Sequence, residues 1–301
     1  MGLEVHPMLD RENPMKTDPH NGYRPCSNHP QIPRTNLYLL LRSGWQAWRN
    51  GGINGIMNHR LMQRAFQNRS EAAPHLPTFA QVEVTTACNL HCFGCRDNVE
   101  LASLEVAGQR NMSLDQFQVI LDSLPFLQRV RLQGVGEPLL NKNLFDMVDA
   151  AHHRKVKVQF FTNATLLTPE IIEKIFVHQV DSLYFSIDGA SAEVFENIRK
   201  GARFQQVLAN VRLFMQAKMK RPTVKPEVGV SSVLSRVNEH ELLDIIELVK
   251  DLQIRRLVVR NMVEFLPIES ISTNLVPRKR QLACIDEGLS HARGLGIHVN
   301  F

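Results

Sequence analysis

The sequence predicts an α/β protein with a parallel sheet, entered through a helical N-terminal extension. Two observations carry this. From Phe79 onward, short β-branched and aromatic runs alternate with longer segments of helical periodicity. Six such runs, each separated from the next by a helical segment, make a parallel sheet the natural arrangement.

Residues 1–34 hold six prolines and three histidines among polar residues, without helical or strand periodicity, so a poorly ordered tail is expected there. The first residues contain no basic segment followed by an apolar run, the mark of a secretory leader. The longest apolar run, Leu37 to Leu41, is far short of the roughly 20 residues that span a bilayer. A cytoplasmic, reducing location is the expectation. Residues 35–78 form the extension. Leu37, Leu41, Trp45 and Trp48 recur at helical spacing, with Thr35 or Asn36 as cap, and a second helical stretch, "IMNHRLMQRAFQNR", follows the breaker "NGGING". Six arginines and no acid lie between Arg34 and Ser70. They read as a solvated basic face or as a contact for an anionic membrane surface or substrate.

Residues 79–301 form the core domain. Its strands are expected at 79–86, 129–135, 155–163, 180–188, 227–234 and 255–262, with a short last one in "GIHVN". Between them, "SLDQFQVILDSL" opens with Ser113 and carries Gln116 three residues on, a capping box. "EHELLDIIELVKDL" and "RKRQLACIDEGLSHAR" are further amphipathic helices. Successive βα units curl into an open doubly wound sheet or into a full or partial barrel. In either case function gathers at the carboxyl ends of the strands.

Composition narrows the class less than pattern does. The 44% hydrophobic content supports a substantial core, and the net charge of +5 is compatible with phosphates, acidic small molecules or a membrane. Three of the five cysteines, Cys88, Cys92 and Cys95, fall within "TTACNLHCFGCR", just after the first expected strand. The other two, Cys26 and Cys284, are isolated, so this is not a disulfide-stapled domain. A closed zinc site needs a fourth ligand, for which His91 is the neighbouring candidate, yet no second C-x2-C pair exists. Three thiolates suit a 4Fe–4S cubane with one iron left open to a small molecule.

The C-x3-C-x2-C loop resembles that of the radical S-adenosylmethionine (radical SAM) superfamily, and three further stretches follow in order at later strand ends. "LQGVGEPLL" is similar to the family's Gly-Gly-Glu element. Gly134 and Gly136 let backbone approach a ligand, and Glu137 offers an acceptor for its ammonium. "TNATLL" carries Asn163, with Ala164 where glycine is usual; Asn163 also reads as the cap of the next helix. In "SIDGASAEVFENIRKG", the resemblance places Ser186, Asp188 and Arg199 near the ligand's ribose and carboxylate. Arg199 also reads as a surface ion pair with Glu196.

The resemblance spans about residues 79–262 and is closest in pattern to the SPASM or twitch group. It implies a partial parallel (β/α)6 barrel, one 4Fe–4S cluster on Cys88, Cys92 and Cys95, and S-adenosyl-L-methionine as co-substrate. The implied chemistry is reductive cleavage to a 5'-deoxyadenosyl radical that takes hydrogen from a peptide or small metabolite, with an electron donor such as flavodoxin or ferredoxin. The C-terminal auxiliary-cluster cysteines are missing, since only Cys284 follows Cys95, so no second cluster is expected. Phe93 stands one position before the family's usual aromatic. Substrate contacts are sought at Gln133, Tyr184, Ser232, Arg260, Asn261 and Glu264, near strand ends that the cofactor motifs leave free. Two rival readings stay open. One is a non-catalytic Fe–S or zinc protein whose basic N-terminus binds a partner; the other is an RNA-modifying radical SAM enzyme, against which stands the lack of a stacking-aromatic or basic recognition module.

Overall fold

A computed structural model describes residues 37–95, 111–221, 225–262 and 273–301, with side chains from Gly44 onward. The expected tail at 1–34, the helix cap at Thr35 or Asn36, and Glu264 lie outside the described residues. The strands are β1 (Phe79–Val82), β2 (His91–Cys92), β3 (Arg129–Leu132), β4 (Lys157–Thr162), β5 (Ser182–Ser186), β6 (Arg199–Lys200), β7 (Glu227–Leu234), β8 (Arg256–Asn261) and β9 (His298–Asn300). The α-helices are α1 (Leu37–Gln67), α2 (Leu114–Ser123), α3 (Leu144–His153), α4 (Pro169–Val177), α5 (Ala192–Ile198), α6 (Phe204–Met219), α7 (Leu242–Asp251) and α8 (Arg278–Leu295).

Seven strands form one parallel sheet in the order β1-β3-β4-β5-β7-β8-β9. Each strand therefore lies beside its predecessor, and the order never reverses as it does at the switch point of a doubly wound sheet. The two faces differ as well. Val130, Phe160, Phe185, Val230 and Leu257 join Phe117, Met147, Ile175, Phe214 and Ile246 of the helices in one continuous core. The opposite face carries Arg131, Gln159, Tyr184, Ser231 and Arg260, because side chains alternate along a strand. Helices on one face and a polar second face are the layout of a partial barrel, with β1 and β9 as edges.

Local signals account for the helix boundaries. The expected capping box closes as predicted: the Gln116 N–H donates to Ser113 Oγ (3.2 Å) and the Ser113 N–H to Gln116 Oε1 (2.9 Å). The "NGGING" breaker splits α1, whose backbone leaves helical geometry at Gly51 and again at Gly52 (φ 56°). Gly44–Phe301 forms one compact unit, so α1 from Gly44 onward belongs to the barrel body. Asn50 ties it there by donating to the carbonyl of Leu127 (2.6 Å), and Asn58 trades two bonds with the backbone of Leu76. Trp45 and Trp48 remain exposed, their rings 5.5 Å apart. Among the described residues no helix is long and apolar enough to cross a membrane.

The expected strand ranges run past the observed ones at most carboxyl ends, as at 79–86 against Phe79–Val82. The reason is physical: Glu83, Thr85, Gly134 and Gly136 leave the ladder to build loop-to-loop contacts at the functional edge.

Candidate functional site

The cysteine loop follows β1 and is clamped on both flanks. On one flank, β2 and β6 form a short antiparallel ladder that sets Cys92 opposite Arg199, and the Phe93 N–H donates to the Ile198 carbonyl at 2.7 Å. On the other, Asn89 donates to Thr165 Oγ1 (2.8 Å) and accepts from Asn163 Nδ2 (2.9 Å). Gly94, at φ 72°, turns the chain so that the Cys95 N–H reaches the Cys92 carbonyl. None of the three cysteines is in a disulfide; Cys88 and Cys92 are half-buried and Cys95 is exposed. Burial pushes the Cys92 thiol up to about 11; Arg199 opposes this, while Cys95 and Cys88 add to it, so the three sulfurs share one electrostatic neighbourhood. His91 is exposed and alternates away from Cys92 in the ladder.

Glu137 is buried where three segments meet. Its N–H donates to the Ala87 carbonyl (2.8 Å), and its carboxylate accepts from the N–H groups of Asn163 (2.8 Å) and Leu139 (3.3 Å). The glycines before it permit this meeting. A Cβ on Gly134 would lie 2.0 Å from Glu83 Oε1, and one on Gly136 would lie 2.1 Å from the Thr85 carbonyl oxygen. Gly136 is thus required by packing against the backbone of the loop that carries Cys88, while at Gly134 the Glu83 side chain would have to move aside. Burial raises the Glu137 carboxyl to about 7, against hydrogen bonds from Asn163, Thr162 and Leu139 and the charge of Arg199. A folded-state pKa above the ordinary 4.5 means that the folded chain keeps a proton the unfolded chain releases. That stability is present below pH 4.5 and is lost as pH rises through about 7. Urea unfolding of the metal-free chain at pH 5 and pH 7.5 should show this loss, on the order of 3 kcal/mol, and Glu137→Gln should flatten it. Equal pH slopes in the two proteins would contradict the assignment.

Asn163 does not cap the next helix; Thr168 does, accepting from the Ile171 N–H. Instead Asn163 Oδ1 accepts from the N–H and hydroxyl of Thr165, closing the turn next to the cysteine loop. Ala164 adopts φ 62°, the left-handed conformation that glycine favours, so the backbone shape survives the substitution.

Arg199 is paired with Asp188, not with Glu196. Its Nη2 lies 2.7 Å from Asp188 Oδ2, with the side chains only 12% and 5% exposed, and its Nη1 lies 4.0 Å from Cys92 Sγ. Glu196 instead takes Arg203 and the Phe204 N–H, because the ladder turns Arg199 inward. Asp188 is held in turn by the Val233 N–H (2.7 Å), and its carbonyl by Asn238 Nδ2 (2.8 Å). Arg199 Nε is buried without a partner, a donor left for a ligand. Ser186 ends β5 on the polar face, and its hydroxyl makes no hydrogen bond among the described residues.

The profile of the Radical SAM superfamily matches residues 82–262. The chain belongs to this superfamily. Among curated relatives, an AdoMet-dependent heme synthase of Methanosarcina barkeri is 30% identical over 184 residues, covering 60% of this chain and 49% of the relative. The mycofactocin maturase MftC of Mycolicibacterium smegmatis is 30% identical over 161 residues, 53% of this chain and 38% of the relative. Matching segments therefore span about half or less of these relatives' own length. In fold, the chain is similar to Streptococcus suis SuiB bound to S-adenosylmethionine, with TM-score 0.62 at 15% identity, covering 83% of this chain and 55% of that one.

The superfamily's cofactors are a 4Fe–4S cluster and S-adenosylmethionine, and the residues present fit both. Among the described residues, no three His, Cys, Asp or Glu side chains converge on one point as a single ion requires. A cubane asks for less convergence, since each thiolate binds a different iron. The buried Arg199 Nε, without a hydrogen-bond partner among the described residues, is a donor that a co-substrate carboxylate would fit. Two positioning residues escaped sequence reasoning. Asn89 sits inside the quoted cysteine stretch, where its place beside Cys88 was the only signal; Asn238 has none, being linked to Asp188 through space alone.

Of the residues sought as substrate contacts, alternation divides the described ones. Gln133, Tyr184 and Arg260 share the polar face, whereas Ser232 and Asn261 lie on the face of Val230, Leu234 and Leu257, Ser232 buried there and Asn261 exposed at the end of β8.

Proposed function

We propose that this chain is a radical SAM enzyme in which Cys88, Cys92 and Cys95 hold a 4Fe–4S cluster. In this reading it abstracts hydrogen from a peptide or a small metabolite such as a cofactor precursor. The observation that carries it is the clamp on the cysteine loop: Asn163 with Glu137 on one flank, and Arg199 with Asp188 on the other. The names of the relatives, a heme synthase and a maturase, support a cofactor precursor or peptide as substrate class.

When bound, the cluster supplies the electron that cleaves S-adenosylmethionine to methionine and a 5'-deoxyadenosyl radical. The chain's own residues prepare that event. Arg199, next to Cys92, favours the thiolate that burial disfavours. Asp188 fixes the guanidinium, whose remaining donors would hold the co-substrate carboxylate. Glu137 would take the co-substrate's ammonium, whose charge would draw the raised pKa back down. Asn163 and Ser186 supply further polar groups, and Gly134 with Gly136 let the loops close around them.

The partners in this reading are the substrate and a one-electron donor such as flavodoxin or ferredoxin. The exposed Trp45 and Trp48, beside arginines, leave an anionic membrane surface as a further contact. Anaerobic reconstitution with iron and sulfide, then dithionite and S-adenosylmethionine, should yield 5'-deoxyadenosine and methionine. Stoichiometric zinc without cleavage would return the non-catalytic reading.

A further inference from the structure

Among the described residues, two arginines on the polar face of the sheet have no carboxylate partner, and both lie within electrostatic reach of the Tyr184 phenol. Arg131 of β3 lies over the rings of Phe79 (5.2 Å) and Phe161 (5.4 Å), and Arg260 of β8 lies 5.0 Å from the centroid of that same Phe161. The two guanidiniums are thus neighbours across one ring. Among the described residues neither has a carboxylate or hydrogen-bond partner, and Arg131 Nε is buried and unsatisfied. Two other arginines of this region are neutralised, Arg256 by Glu227 at 3.0 Å and Arg199 by Asp188, whereas Arg129, two residues before Arg131 on the same face, adds to the positive charge there. Burial, and then each other's proximity, pulls Arg131 below its ordinary basicity, and burial does the same to Arg260. Two like charges set together in a half-buried place cost stability, and such an expense marks a site that an anion completes.

Position strengthens this. Arg131 precedes Gln133 by two residues on the same face, where β3 ends. Phe161 is two residues before Asn163, and Tyr184, stacked on Phe161 at 4.9 Å, is two before Ser186. Arg260 is two before Met262, whose Cε would lie 2.9 Å from a Cβ on Gly94 of the cysteine loop. The pair therefore lies directly beneath the groups assigned to the cofactors.

We infer that Arg131 and Arg260 form an oxyanion-binding site, with the Phe161–Tyr184 pair as its wall, and that the substrate carries a carboxylate or phosphate seated there. The planar forks of two arginines can each donate two parallel hydrogen bonds to such a group. The inference rests on the proposed function for what lies above the site, and its test is separable from that reading.

The test is calorimetric titration of the reconstituted chain, saturated with S-adenosylmethionine, at constant ionic strength. One arm uses sodium pyrophosphate and the other sodium glutarate, and the tighter of the two tells phosphate from carboxylate. Arg131→Gln and Arg260→Gln should each weaken binding at least about tenfold, while Arg60→Gln, on α1, should not change it. Arg260→Lys keeps the charge without the fork and should fall between the parent and Arg260→Gln; it reports on the site even where a glutamine variant does not fold. Without an anion, the glutamine variants should melt no lower than the parent, since a repulsion is removed; a purely structural role for the arginines predicts a lower melting temperature. Absence of binding by both anions, or binding indifferent to Arg131 and Arg260, overturns the inference. Cleavage of S-adenosylmethionine without anion binding leaves the proposed function standing and removes this site. Anion binding without cleavage does the reverse.

Discussion

Cys92→Ala is expected to yield a folded chain that neither retains a cubane after anaerobic reconstitution nor cleaves S-adenosylmethionine. The reason lies in the numbers of ligands: two remaining thiolates cannot hold a cluster that already leaves one iron without a protein ligand. The fold should survive, because Cys92 is only half-buried and the β2–β6 ladder that carries it is a backbone contact. The cost should stay near 1 kcal/mol or below. Cys284→Ala is the control, as that thiol is buried on α8 among apolar side chains and should leave iron content and cleavage unchanged. Iron and sulfide analysis with the visible spectrum of each variant reads both outcomes. Retained cleavage in Cys92→Ala would refute the ligand assignment.

Asp188→Ala should be the most destabilising single change at the site. It strands a buried guanidinium that now sits 2.7 Å from its carboxylate, and it removes the acceptor for the Val233 N–H. Breaking a buried ion pair by deleting one partner costs about 3–5 kcal/mol, which urea unfolding would register directly. Asp188→Asn keeps an acceptor for Val233 and should lose less. Both variants should also bind S-adenosylmethionine more weakly, because Arg199 loses the group that orients it. A loss below about 1 kcal/mol in Asp188→Ala would mean that the pair is screened by water and does not set the arginine's position.

Much of this arrangement was legible in the sequence, and the exceptions have a common cause. Periodicity located the strands, and the Ser113–Gln116 box and the Gly51–Gly52 break were local enough to read directly. The cysteine triad and its companions were legible because they resemble, in order, the family's motifs at successive strand ends. Pairings through space were not. Glu196 is three residues from Arg199 and looked like its partner; Asp188, eleven residues before it, is the true one, because the β2–β6 ladder turns the guanidinium inward. Ser232 and Asn261 looked like substrate contacts from their place near strand ends, but a shift of one residue along a strand reverses the face. Arg131 was missed for a related reason: it sits mid-strand in a run that reads as ordinary β-structure, and only its neighbours across the sheet reveal an unpaired charge.

The most direct test of the central claim is pulsed electron–nuclear double resonance on the reduced, reconstituted chain with S-adenosylmethionine labelled with 15N at its amino group. A cluster held by Cys88, Cys92 and Cys95 with one open iron predicts a resolved 15N coupling to the cluster spin, lost in Cys92→Ala along with the cluster signal. A cubane signal that shows no coupling to the labelled nitrogen in the parent chain would contradict the account.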